Sequence, residues 1–410
     1  MNLSNTQKNQ FLERLLEISR EYGNEEIIDR FRHVKSEREK YLREQWKEQI
    51  TGDEGPAFFR DVDFEHLRVL LYNHLDSEPD QYFQFNIALV KACIQFSGYE
   101  KAQAILNALL DKVVSNTKQA KVLMLLGKVA LLRNEYEQST EYYKRALSIH
   151  DRLQNFRGIA SAYNNLGIIA HEQWQAETGK MYFEKANEQS PKHDDTYTKM
   201  FIRMNLGIVN ILQGYYEKAF RIFESLLENK TEDTNPGIKL HLMINQGISA
   251  RDAGNYAQAI KILSAAKKLS VEVKNQRLLA LSKHGHAETL IFLDELDKCE
   301  NELVDAFKIF SKIYNRNFIA DTYRVFGLVH IERGQYELAE SEIQISLRIN
   351  NENGNIPNLA EAYKAYSKLA KIRGDIARQR ECLKKALALC ETMQATKRVE
   401  QLQGELAALG

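Results

Sequence analysis

Residues 125–147 read LLGKVALLRNEYEQSTEYYKRAL, and variants of that phrase return down the chain. Residues 165–186 read NLGIIAHEQWQAETGKMYFEKA, 205–226 read NLGIVNILQGYYEKAFRIFESL, 245–266 read NQGISARDAGNYAQAIKILSAA and 325–346 read VFGLVHIERGQYELAESEIQIS. Their anchors Gly127, Gly167, Gly207, Gly247, Ala287, Gly327 and Ser367 stand 40 residues apart. A fixed period of roughly 20 to 50 residues marks one supersecondary unit stacked many times. Seven residues after each anchor stand Asn134, Trp174, Gly214, Gly254, Asp294, Gly334 and Gly374; apart from Trp174 these tolerate a left-handed helix terminus, so a first helix should stop there.

A second helix should begin two residues later, at Tyr136, Ala176, Tyr216, Tyr256, Leu296, Tyr336 and Ile376. Small residues follow three positions on (Ser139, Gly179, Ala219, Ala259, Cys299, Ala339, with Gln379 the exception), then large ones at Tyr143, Phe183, Phe223, Leu263, Leu303, Ile343 and Leu383. Offsets of three and seven put these on one helical stripe. Small residues let two helices approach closely while the large ones fill the space between neighbouring pairs. The reading is all-α: an α-solenoid of antiparallel helix pairs.

The order "LG…Y..A…F..A", with Pro191 in its own slot after a second helix, resembles the tetratricopeptide repeat over about residues 82–390. Repeats of that family are typically about 34 residues. The longer unit here is similar to those of kinesin light chains and of bacterial peptide-responsive regulators. The resemblance implies a right-handed superhelix whose concave groove, lined by first helices, holds a protein or peptide ligand.

The organisation expected is an N-terminal helical hairpin at 1–50, a linker TGDEGP at 51–56, a capping helix at 57–80, about eight tandem repeats at 81–390 and a C-terminal capping helix at 391–410. In the hairpin, Leu12, Leu15, Leu16 and Ile18 mark a first amphipathic helix, and residues from Glu25 to Ile50 a highly charged second one. That second helix reads as a solvated helix packing one edge on the first repeat, as part of a dimerising (homodimer) or partner-binding hairpin, or as a nucleic-acid-binding helix. Interleaved acids argue against the last. The polar loop NKTEDTNPG at 229–237 is the longest break between repeats.

Lys and Arg total 56, as do Asp and Glu, so no global field draws nucleic acid or an anionic membrane. No run of about 18 apolar residues and no secretion signal is seen, and Cys93, Cys299, Cys382 and Cys390 lack paired metal or redox spacing. A cytoplasmic setting follows. No phosphate loop, HExxH or GxSxG occurs, so neither catalytic residues, cofactor nor metal is expected. The cluster KHGHAE at 283–288 places His284 and Glu288 one turn apart, with His241 the nearest third donor; ordinary groove polarity is the simpler reading.

Candidate binding residues lie on the first helices. Two residues before the anchor stand Asn165, Asn205 and Asn245, where the resemblance implies an asparagine ladder that grips a peptide backbone; an amide both donates and accepts. Further on, Arg324, Lys364, Lys368 and Lys371 make the same face basic and suited to acidic side chains or a terminal carboxylate, with Asp321, Glu332 and Glu361 placed to neutralise them. The function expected is a non-enzymatic interaction scaffold. The alternative is a peptide-switched regulator whose repeats change pitch on binding.

Overall fold

The computed structural model describes residues 5–22, 28–29, 31–33, 36, 69, 79–228 and 235–409. Most of the expected second hairpin helix, the whole linker and nearly all of the expected capping helix at 57–80 lie outside the described residues. Every described element is helical, and no strand occurs among them. The chain divides into two compact units, 1–154 and 155–410.

Unit 1 holds α1 (Asn5–Tyr22), α2 (Pro79–Gln95), α3 (Tyr99–Lys112), α4 (Asn116–Leu132) and α5 (Tyr136–Arg152). Leu15, Leu16 and Ile18 of α1 are buried in one apolar cluster with Phe85, Leu89 and Val90 of α2 and Leu106 of α3. The turn between α2 and α3 is left-handed at Ser97, while Gly98 precedes α3 with φ −84°. Unit 2 holds six pairs: α6 (Phe156–Glu172) with α7 (Ala176–Glu188), α8 (Thr196–Gln213) with α9 (Tyr216–Glu228), α10 (Pro236–Asp252) with α11 (Tyr256–Glu272), α12 (Gln276–Ile291) with α13 (Leu296–Lys312), α14 (Arg316–Glu332) with α15 (Tyr336–Glu352), and α16 (Ile356–Ile372) with α17 (Ile376–Thr392). A last helix, α18 (Thr396–Ala407), follows.

All seven expected second helices begin on their expected residue. All seven stop positions have positive φ, from 59° at Asp294 to 89° at Gly214, and Trp174 adopts it at 61° although its side chain disfavours it. The next residue's N–H bonds five residues back, as Glu135 to Ala130 O at 2.9 Å, Gln175 to Ala170 O at 2.8 Å and Gln335 to His330 O at 2.8 Å. This is a Schellman closure, which satisfies the last carbonyls of the helix.

The same closure ends most of the second helices of unit 2, with left-handed Lys274, Tyr314, Gly354 and Gln394. The sequence reading did not anticipate it, because only one of these four is glycine. An asparagine follows three of them: Asn275, Asn315 and Asn355 accept through Oδ1 from the N–H three residues on, capping α12, α14 and α16. Closure and cap share one three-residue turn, so helix starts recur every 20 residues from 256 to 396. Of the prolines, Pro79, Pro236 and Pro357 sit in the first helical turn rather than between helices, where a missing N–H is harmless.

The anchors work through contact. A Cβ at Gly167 would lie 2.6 Å from the Phe183 ring, at Gly207 2.5 Å from that of Phe223, and at Gly247 2.5 Å from Leu263. Each large residue sixteen positions on is buried against the anchor, with exposure of 2% or less at Tyr143, Phe183, Phe223, Leu263, Leu303, Ile343 and Leu383. Arginines near the ends of first helices then tie successive pairs. Arg333 reaches Asp297 and Glu300 at 2.6 Å each, and Arg373 reaches Glu337 and Glu340. Each is a cation close to one helix C-terminus meeting acids in the opening turns of another.

The anchor contact sets a paired prediction. Gly207→Ala drives a methyl into Phe223 and should cost about 1–3 kcal/mol, more than the ~1 kcal/mol that alanine gains over glycine in a helix. Gly404→Ala in α18, with no atom within 4 Å of the added carbon, should instead stabilise by about 0.5–1 kcal/mol. Urea unfolding followed by circular dichroism reads both signs.

Candidate functional site

In unit 2 the first helices of successive pairs pack on one another from α6 through α16, whereas no second helix packs comparably on the next. The first helices are therefore the tighter, inner layer. Residues two or three before each anchor, and one or four after it, share one face of this layer.

Asn165, Asn205 and Asn245 lie on α6, α8 and α10, all half-buried. Asn205 Nδ2 donates to Oδ1 of Asn164 on the preceding first helix at 2.9 Å. The amide row thus includes a residue that the sequence reading passed over. Apolar side chains flank it, among them Ile168, Ile208 and Ile248 one residue after the anchors, each partly buried.

Beyond the amides the wall becomes a buried ionic network. Glu288 on α12 accepts from Arg251 of α10 through Oε2, and from Arg324 of α14 through Oε1 at 2.7 Å. Arg251 Nε also donates to Asp252 at 2.7 Å, Arg324 Nε to Asp321 at 2.6 Å, and His284 Nε2 faces Asp321 at 3.5 Å. Arg324, expected as a ligand-facing cation, is 6% exposed and bound to two carboxylates, so it stitches two first helices together. Burial pushes the Glu288 carboxyl up, but the guanidiniums of Arg251 and Arg324 outweigh that and hold it at about 2. Burial lowers His284 below the ordinary histidine range, against the pull of Asp321.

Both oxygens of Glu288 are engaged, and among the described residues no three His, Cys, Asp or Glu side chains are placed to hold a metal ion. His286 faces the other way, towards α11. Lys267 Nζ approaches its Nδ1 at 3.3 Å, which leaves Nε2–H to donate to Ser264 Oγ at 3.0 Å. Burial and Lys267 press this histidine down to about 4. With its proton on the nitrogen facing the serine, it is no base for that hydroxyl.

At the far end of the wall, on α16, Lys364 pairs with Glu361 at 3.4 Å, Lys368 pairs with Glu332, and Lys371 is exposed. Arg398 of α18 also reaches Glu361. The four cysteines are buried; burial raises Cys299 to about 12, an inert thiol.

Removing the central carboxylate strands two buried guanidiniums, so Glu288→Gln should cost about 3–5 kcal/mol at neutral pH. The folded-state pKa lies below the ordinary 4.5, so this stabilisation is whole above that value and disappears as pH falls towards about 2. In denaturant titrations the gap between wild type and variant should therefore close over that window.

Residues 120–150 match the family described as tetratricopeptide repeat. No curated protein matches the chain in sequence. Among solved structures, the apo form of the quorum sensor NprR from B. thuringiensis is 15% identical, with 80% of this chain and 94% of that one covered at a TM-score of 0.59. Aspartyl phosphate phosphatase F from Bacillus subtilis is 14% identical, covering 80% and 89% at 0.59. The Rap conjugation gene regulator of plasmid pLS20, in complex with the Phr* peptide, is 15% identical, covering 82% and 91% at 0.55. The chain carries a tetratricopeptide repeat and has the all-α repeat fold of these structures.

Proposed function

We propose that unit 2 is a non-enzymatic binding module that holds a segment of a protein or peptide partner along its wall of first helices. The observation that carries this reading is the row of half-buried amides, Asn165, Asn205 and Asn245, recurring every 40 residues on one layer among apolar neighbours. Such amides can bond a passing peptide group whatever its side chain, which gives affinity without strict sequence demand. The partly open cations Lys364, Lys368 and Lys371 are placed to meet an acidic side chain or a terminal carboxylate at the α16 end. Arg324 contributes indirectly, by fixing α14 against α12. No covalent step, cofactor, nucleic acid or membrane enters this reading; among the described residues no helix is long and apolar enough to cross a membrane. A cytoplasmic setting belongs to the same proposal.

A second reading is a peptide-switched regulator whose pairs change pitch on binding. Contacts between the first and last pairs of unit 2 favour it, since they give a change of pitch something to break. One solved structure of this fold bears a bound Phr* peptide. That likeness is one of fold, so the reading for this chain rests on its own residues.

Each amide pair lost should weaken binding by about 1 kcal/mol, near fivefold. With a partner segment captured by the wild type, changing Asn165, Asn205 and Asn245 together to Ala should lower affinity about a hundredfold by calorimetry, with unchanged circular dichroism. Lys364→Glu with Lys368→Glu should weaken an acidic segment further. Undiminished affinity in the triple variant would move the site off this wall.

A further inference from the structure

The last stretch of the chain does not simply end the stack. After α17 it returns to the first pair of unit 2, across more than two hundred residues of sequence. The N–H of Ala176 donates to Met393 O at 3.2 Å, and that of Glu177 to Gln394 Oε1 at 3.2 Å. The Glu177 carboxylate then accepts from Thr396 Oγ1 at 2.8 Å and from Gln213 Nε2 at 2.6 Å. An apolar cluster joins Ala176, Val209 and Leu212 to Met393, Ala395 and Leu402. Arg398 is 8% exposed and pairs with Glu361 on the inner layer. Its stem lies so near the left-handed Gly214 that a Cβ there would come within 2.9 Å of Arg398 Cγ.

These contacts have an unusual distribution. Lys397, Glu400, Gln401 and Glu405 of α18 face water. The helix therefore depends on its neighbour in sequence, α17, on Glu361 of α16, and on the distant start of α7 and end of α8. Its seam there is narrow: one backbone-to-backbone bond, a few side-chain bonds and a small apolar cluster. Such a piece can open sub-globally while the long ladder of pairs stays folded.

We propose that residues 393–407 are a separable latch, holding the first and last helix pairs of unit 2 together and able to detach as one piece. The latch covers the C-terminal end of α8 within the inner layer and occupies Glu361 of α16. Its release would free α8 and Glu361 of the wall at once. The inference stands on these contacts alone and holds whether or not a peptide is the ligand.

The geometry supplies a matched pair of variants. Gly214 and Gly254 have nearly equal positive φ, 89° and 85°, so alanine imposes the same backbone strain at both. Only Gly214→Ala also strikes the latch, since nothing lies within 4 Å of a carbon added at Gly254. Hydrogen exchange of the full chain, read by mass spectrometry, should show amides of 396–407 exchanging at least about tenfold faster in G214A than in wild type or G254A. Amides of α12–α15 should be unchanged. Glu177→Ala, an exposed position that leaves the backbone untouched, should speed the same amides about fivefold and serves if G214A fails to fold. Unchanged exchange of α18 in G214A and E177A, or loosening spread evenly through unit 2, would overturn the latch.

Discussion

The structure depends on one close approach repeated down the chain: a residue with little or no side chain, pressed against a large one sixteen positions later. Gly207 under Phe223 and Gly247 under Leu263 leave no room for even a methyl group. That contact fixes how near the two helices of a pair can come, and so where every other side chain of the pair is delivered. The Schellman closures fix the other variable, helix length, by ending helices at set positions whatever residue occupies them. Close approach and fixed helix starts give successive pairs the same register, which is what allows a polar row to line up across pairs.

The frame was legible in the sequence because its constraints are steric and act locally. Gly, Ala and Ser at anchors, aromatic and branched residues sixteen positions on, and Gly, Asn or Asp at the first-helix stops announce themselves by residue type. The second set of turns was not legible in the same way. Lys274, Tyr314 and Gln394 take positive φ because closure on both sides demands it, and nothing in their side chains advertises it. The signal available was the asparagine that follows, at 275, 315 and 355, a cap row lying outside the frame of small residues.

The candidate site was read less completely, for a reason of distance. A sequence shows neighbours three or four apart on a helix but not partners on the next first helix. In the sequence Arg324 belongs to a basic face with acids placed to neutralise it and Glu288 to ordinary groove polarity, yet the two are bonded to each other 36 residues apart. That spacing recurs in Arg333 to Asp297 and Lys368 to Glu332, one period less a helical turn. Polar residues of the inner layer thus divide into those that cross-link first helices and those that remain available. Asn165, Asn245 and Lys371 belong to the second group, and Arg251, Glu288 and Arg324 to the first.

Fixed pairs with an available polar row describe a binding wall, and the wall is the central claim. The measurement that addresses it most directly is side-chain amide resonance of the asparagines, with and without a bound partner segment. The account predicts that the Nδ2 signals of Asn165, Asn205 and Asn245 shift on binding while those of the capping residues Asn275, Asn315 and Asn355 stay in place. Shifts confined to the second helices or to the caps, with the wall signals unmoved, would contradict it.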